Sequence, residues 1–148
     1  MRTIMVCVDS RATWSRALTV CEAIRAREDL KLQLVLMGPA ADSTSEQCGI
    51  RAEKWFYDGF QPIDLMVGGG RDQYESMAYL FSFYLDRLSN ILIPRYKPDV
   101  IISVTDRYES LAVAVAAALS NVHLAHIQGG EVSGGIAASM RHAITKLA

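Results

Sequence analysis

The stretch that decides the fold runs from Thr3 to Met37, TIMVCVDSRATWSRALTVCEAIRAREDLKLQLVLM. Its first six residues are apolar and rich in β-branched side chains, the pattern of a strand buried on both faces. Ser15 to Arg27 then carries Leu18, Cys21, Ala23 and Ile24 at near-helical spacing, with Arg25 and Arg27 where cations suit a helix carboxyl end. Lys31 to Met37 is a second apolar strand, closed by Gly38-Pro39. A strand, a helix and a strand in this order make a βαβ unit, whose two strands lie parallel.

Working outward, the alternation continues. Asp42 to Tyr57 reads as a weak helix capped by Ser45, and Ile63 to Val67 as a third strand ending at Gly68-Gly69-Gly70. Asp72 caps a strongly periodic run from Gln73 to Ile93, predicted as one helix about 30 Å long. Pro98 leads into a fourth strand, Val100 to Val104, followed by a helix from Ser110 to Leu119. Val122 to Ile127 is the fifth strand, and a last helix begins near Ile136. The expected fold class is therefore α/β, a Rossmann-like parallel sheet with helices on both faces, in one domain of 148 residues.

Composition narrows the function. Fifteen basic and sixteen acidic residues leave a net charge of -1, which offers no electrostatic footprint for nucleic acid. The longest apolar stretch, Leu111 to Leu119, is half the length a membrane span needs, and Asp9 and Arg11 interrupt any export signal. Three cysteines, Cys7, Cys21 and Cys48, show no metal-ligand spacing, so reduced thiols and a cytoplasmic location are expected. No GxGxxG follows the first strand, and no Lys-Ser or Lys-Thr follows the three glycines, which argues against a dinucleotide site and a P-loop.

In open parallel sheets ligands bind beyond the carboxyl ends of the strands. Those positions hold Asp9-Ser10-Arg11, Gly68-Gly69-Gly70, Thr105-Asp106-Arg107-Tyr108-Glu109 and Gln128-Gly129-Gly130-Glu131. Asp106 and Glu131 are candidate acid/base carboxylates, and Arg11 and Arg107 candidate anion ligands. The plainer alternatives are a helix cap for Asp106, a satisfied histidine at His126, and a solvated face for Arg141, His142 and Lys146.

The segment His126 to Leu147, HIQGGEVSGGIAASMRHAITKL, resembles the signature of hydrolysing UDP-N-acetylglucosamine 2-epimerases of the sialic-acid type. Lys97-Pro98-Asp99 leading into Asp106-Arg107-Tyr108-Glu109 resembles the family's KPD strand and GDRxE loop, and Ser10 to Arg16 its R-A-D-Y-S-K segment. The resemblance implies the N-terminal half of a two-domain, GT-B-like architecture, with the C-terminal nucleotide-binding domain absent. It implies UDP-N-acetylglucosamine or a related nucleotide sugar as ligand, no metal and no redox cofactor. The implied reaction eliminates UDP across C1 and C2 and hydrates the glycal to N-acetylmannosamine. Residue by residue, it makes Asp106, Glu131, Arg141 and His142 catalytic, and Arg11, Arg16, Arg107 and Glu109 substrate-binding. Departures are Thr13 for aspartate, Arg16 for lysine, Thr105 for glycine, Gly135 for threonine, and Ala137-Ala138 for an acidic pair. Alanine transfers no proton, so the expectation is a chain incomplete or inactive alone, or else a non-catalytic sugar-nucleotide-binding homologue. A cleft face left uncovered favours a homo-oligomer.

Overall fold

A computed structural model describes residues 1–40, 63–65 and 73–148. The expected helix over Asp42 to Tyr57, the glycine loop 68–70, the Asp72 cap and Cys48 lie outside the described residues. The elements are β1 (Arg2–Val8), α1 (Arg11–Arg25), β2 (Leu30–Met37), a 3-10 turn (Gly38–Ala40), β3 (Ile63–Leu65), α2 (Gln73–Arg87), α3 (Ile93–Tyr96), β4 (Val100–Val104), α4 (Tyr108–Leu119), β5 (His123–Ile127) and α5 (Gly135–Leu147).

All strand pairs are parallel, and the sheet order is β3-β2-β1-β4-β5. The order reverses between β1 and β4, so the carboxyl ends of those two strands flank a topological switch point. Alternation along β1 divides the core. Ile4, Val6 and Val8 pack with Trp14, Ala17, Cys21 and Ile24 of α1, while Met5 and Cys7 face Tyr84 of α2 and Ala112, Val113 and Ala116 of α4. Each fully buried aliphatic side chain contributes about 1.5–3 kcal/mol, whereas the Arg27–Asp29 pair is 63% exposed on both sides and screened by solvent. Apolar burial on both faces, rather than surface charge, holds the sheet.

Four details differ from the expected elements, the first being α1, which opens at Arg11 rather than Ser15 and ends at Arg25 rather than Arg27. The periodic run after Gln73 is not a single α-helix. Leu88 to Leu92 widens into a π turn and the helix resumes as α3, which reaches Tyr96. Pro94 stands two residues beyond the wide turn. Its ring crowds the carbonyl one turn back and it donates no hydrogen bond, so the widened turn is where the chain accommodates it. The fourth helix starts at Tyr108, two residues earlier than Ser110, and its cap position is Arg107 rather than Asp106. Asp106 is thereby freed from the capping role.

Candidate active site

The β1 end is built first by its own short-range chemistry. Ser10 caps α1, its Oγ accepting from the Thr13 N–H at 3.2 Å. Thr13 donates its hydroxyl to Asp9 Oδ1, and the Ser110 hydroxyl lies 2.7 Å from Asp9 Oδ2 and 2.8 Å from the Val104 carbonyl. Asp9, Thr13 and Ser110 are all buried, so this network ties the ends of β1 and β4 together across the switch point. Neither Thr13 nor Ser110 stands out in the sequence as part of a network. The partners of Asp9 lie 4 and 101 positions away, and only the short spacing leaves a local signal.

Beside this network, Glu109 is fully buried and forms a two-pronged pair with Arg107, Nη2 to Oε1 at 2.9 Å and Nε to Oε2 at 3.1 Å. Burial raises the Glu109 carboxyl above the ordinary glutamate value; Arg107 opposes this and the nearby Asp9 adds to it. Gly38 closes over Glu109. Its φ is +52°, and a Cβ there would stand 2.7 Å from Glu109 Oε1, so two separate constraints require glycine. The Gly38 N–H donates to Tyr84 Oη at 2.8 Å, and burial of the phenol pushes its pKa up to about 12. Arg107 is partly exposed, with its guanidinium over the Tyr108 ring at 5.4 Å. Of this pair, then, Arg107 is the member a ligand can reach.

The β4 and β5 ends meet through α5. Arg141 is 7% exposed, so the helix face expected to be solvated is instead buried at this residue. Its Nη2 pairs with Asp106 Oδ2 and its Nη1 donates to the Glu131 carbonyl at 2.9 Å. The planar fork of arginine suits this double task, because one rigid group can serve two acceptors at once. Asp106, Glu131 and Arg141, taken from three different segments, are thus brought to one corner of the sheet. The Glu131 side chain itself is exposed. His126 is satisfied within the protein, 2.7 Å from the Thr105 carbonyl and 3.0 Å from Thr145 Oγ1.

Arg11 opens α1, and its side chain lies outside the described residues. Arg16 is exposed on α1 and His142 is exposed on α5. Ala138 is buried and Ala137 half-buried in the first turns of α5. Among the described residues no group of three His, Cys, Asp or Glu side chains is placed to hold a metal ion, and no helix is long and apolar enough to cross a membrane.

This corner can be compared with known proteins. The chain is 31% identical to the GDP/UDP-N,N'-diacetylbacillosamine 2-epimerase (hydrolyzing) of Campylobacter jejuni and 30% identical to the UDP-N,N'-diacetylbacillosamine 2-epimerase (hydrolyzing) of Legionella pneumophila. Each match covers 99% of this chain but only 37% and 38% of the relative, so the chain spans less than two fifths of their length. Its fold superposes on a crystal structure of UDP-N-acetylglucosamine 2-epimerase with a TM-score of 0.78 at 16% identity, covering 99% of this chain and 40% of that one. The Neisseria meningitidis enzyme bound to UDP-GlcNAc gives 0.76 at 13% identity, covering 99% and 38%. The family model described as UDP-N-acetylglucosamine 2-epimerase matches residues 19–148. With that match spanning most of its length, the chain belongs to the UDP-N-acetylglucosamine 2-epimerase family.

Proposed function

We propose that this chain is the sugar-facing, carboxylate-bearing half of a hydrolysing 2-epimerase acting on a UDP-linked 2-acetamido sugar. UDP-N-acetylglucosamine is the first candidate substrate. The observation that carries this reading is the convergence of Asp106, Glu131 and Arg141 at the corner formed by the β4 and β5 ends and α5.

The reaction needs a base at C2, support for the diphosphate that leaves C1, and a proton donor on return. In the first step a carboxylate takes the C2 proton, the C1–O bond breaks, and its electron pair leaves with UDP. In the second, water adds to C1 of the glycal and C2 is reprotonated from the opposite face, giving the 2-epimer. Asp106 and Glu131 are the carboxylates for these transfers. Arg141 holds the first and the backbone of the second, and Arg107, fixed from below by Glu109, presents remaining N–H donors to the anionic ligand.

Two features separate binding from turnover. The chain spans less than two fifths of the relatives' length, and Ala137-Ala138 stands where the family signature carries an acidic pair. The reading is therefore that this polypeptide alone binds the nucleotide sugar without converting it. The alanine pair equally favours a second reading, a non-catalytic homologue that keeps the binding corner. Proton NMR of the chain with UDP-N-acetylglucosamine tests both. Broadened ligand lines with no free UDP or N-acetylmannosamine are expected; products in proportion to protein would overturn the lack of turnover, and sharp, unmoved ligand lines would overturn binding. An Ala137→Asp variant completed by a second domain separates the two readings, since a gain in product formation favours the enzyme half.

A further inference from the structure

His126 bonds none of the side chains of Asp106, Glu131 and Arg141, yet its partners adjoin two of them. Its Nε2 is 2.7 Å from the Thr105 carbonyl, the residue directly before Asp106. Its Nδ1 is 3.0 Å from Thr145 Oγ1, and that hydroxyl is 2.9 Å from the carbonyl of Arg141, one turn back in α5. Gly129, two residues before Glu131, closes over the contact so tightly that a Cβ would stand 2.7 Å from Thr145 Oγ1 and 2.9 Å from His126 Nδ1.

A carbonyl only accepts, so the His126 Nε2–H donates to Thr105, while Nδ1 meets the Thr145 hydroxyl, which also reaches the Arg141 carbonyl.

The need for such a tie is visible in the backbone. Thr105 has φ +72°, a conformation that β-branched residues avoid and that persists only where surrounding contacts impose it. Its N–H donates to the Ile127 carbonyl at 3.1 Å and its carbonyl accepts from His126, so β5 holds the turn by both of its polar groups.

We infer that His126 is a positioning residue: it ties the Thr105 turn to α5 and so fixes Asp106 against Arg141. The charged and titratable residues on the segments it joins are Asp106 of the β4–α4 turn, Glu131 of the loop after β5, and Arg141, His142 and Lys146 of α5. Its β4 partner, Ser103, is uncharged. Calling the positioned groups catalytic rests on the proposed function. The tie itself is a property of the free protein.

The test is NMR of the whole chain with 15N-labelled histidine and arginine. The Nε2–H proton of His126 is expected to be visible and at least tenfold slower to exchange than the ring protons of the exposed His123 and His142. A ring proton exchanging as fast as those of His123 would overturn the inference. His126→Ala is expected to move the buried Arg141 Nε–H signal and to speed amide exchange at residues 104–107 at least tenfold, leaving residues 4–8 of β1 unchanged. His126→Gln, which keeps a donor near the Nε2 position, is expected to recover most of this. Thr145→Val, a change at an exposed position, gives a partial effect even where His126→Ala fails to fold. Unchanged exchange at 104–107, or equal acceleration in β1, would show a merely structural residue. Adding UDP-N-acetylglucosamine then separates the two claims: a protected ring proton with no ligand-induced shift at Arg141 upholds the tie and refutes the proposed function.

Discussion

Arg141 joins two segments through one guanidinium, and its removal leaves Asp106, 22% exposed, without its cation. Arg141→Ala is expected to lower unfolding free energy by about 3 kcal/mol, measured by urea denaturation. A loss under about 0.5 kcal/mol would mean the pair is held elsewhere. Thr105 points the other way. Its φ of +72° strains a β-branched residue by about 1–3 kcal/mol, more than the roughly 0.5–1 kcal/mol of added chain entropy that glycine brings. Thr105→Gly is therefore expected to stabilise the fold by about 1 kcal/mol; a destabilised variant would contradict this. Glu109 predicts a pH dependence. Burial raises its folded value above 4.5, so its contribution is complete below that value and is lost as pH rises through the higher folded one. Stability measured from pH 4 to 7 is expected to carry this falling component, and Glu109→Gln to flatten it; an unchanged slope would refute the assignment. At this scale the sequence is only half legible. Asp106 and Arg141 are visible as motif residues, but their contact spans 35 positions, and no local periodicity encodes it.

The elements were legible wherever their signal is local. The continuous apolar runs of β1, β2 and β4, the helical spacing within α1 and the alanine-rich run of α4 are signals carried by neighbouring residues alone. The π turn was not legible as such, because Leu88 to Leu92 keeps its apolar spacing; Pro94 was the one cue. Nor does the sequence reveal why Gly129 is a glycine, since the space it leaves is filled by Thr145 and His126 from other elements. Gly129→Ala is expected to push α5 off β5 and cost about 1–3 kcal/mol in thermal or urea unfolding. A variant as stable as the parent would show that the loop moves aside freely.

Across the molecule, the reversal of strand order between β1 and β4 brings Asp9 and Arg107 to neighbouring strand ends, while β5 and α5 add Glu131 and Arg141. The proposed function rests on this placement rather than on the α/β alternation alone, because the same architecture serves many functions. On that proposal, the residues of this corner bind and orient one side of the nucleotide sugar. The most direct test of that claim is a chemical-shift map of the uniformly labelled chain titrated with UDP-N-acetylglucosamine. Shifts concentrated at residues 105–109, 128–131 and the Arg141 guanidinium, saturating with ligand, are the predicted result. Saturating shifts confined to the opposite, amino-terminal edge of the sheet, or none at millimolar ligand, would contradict it.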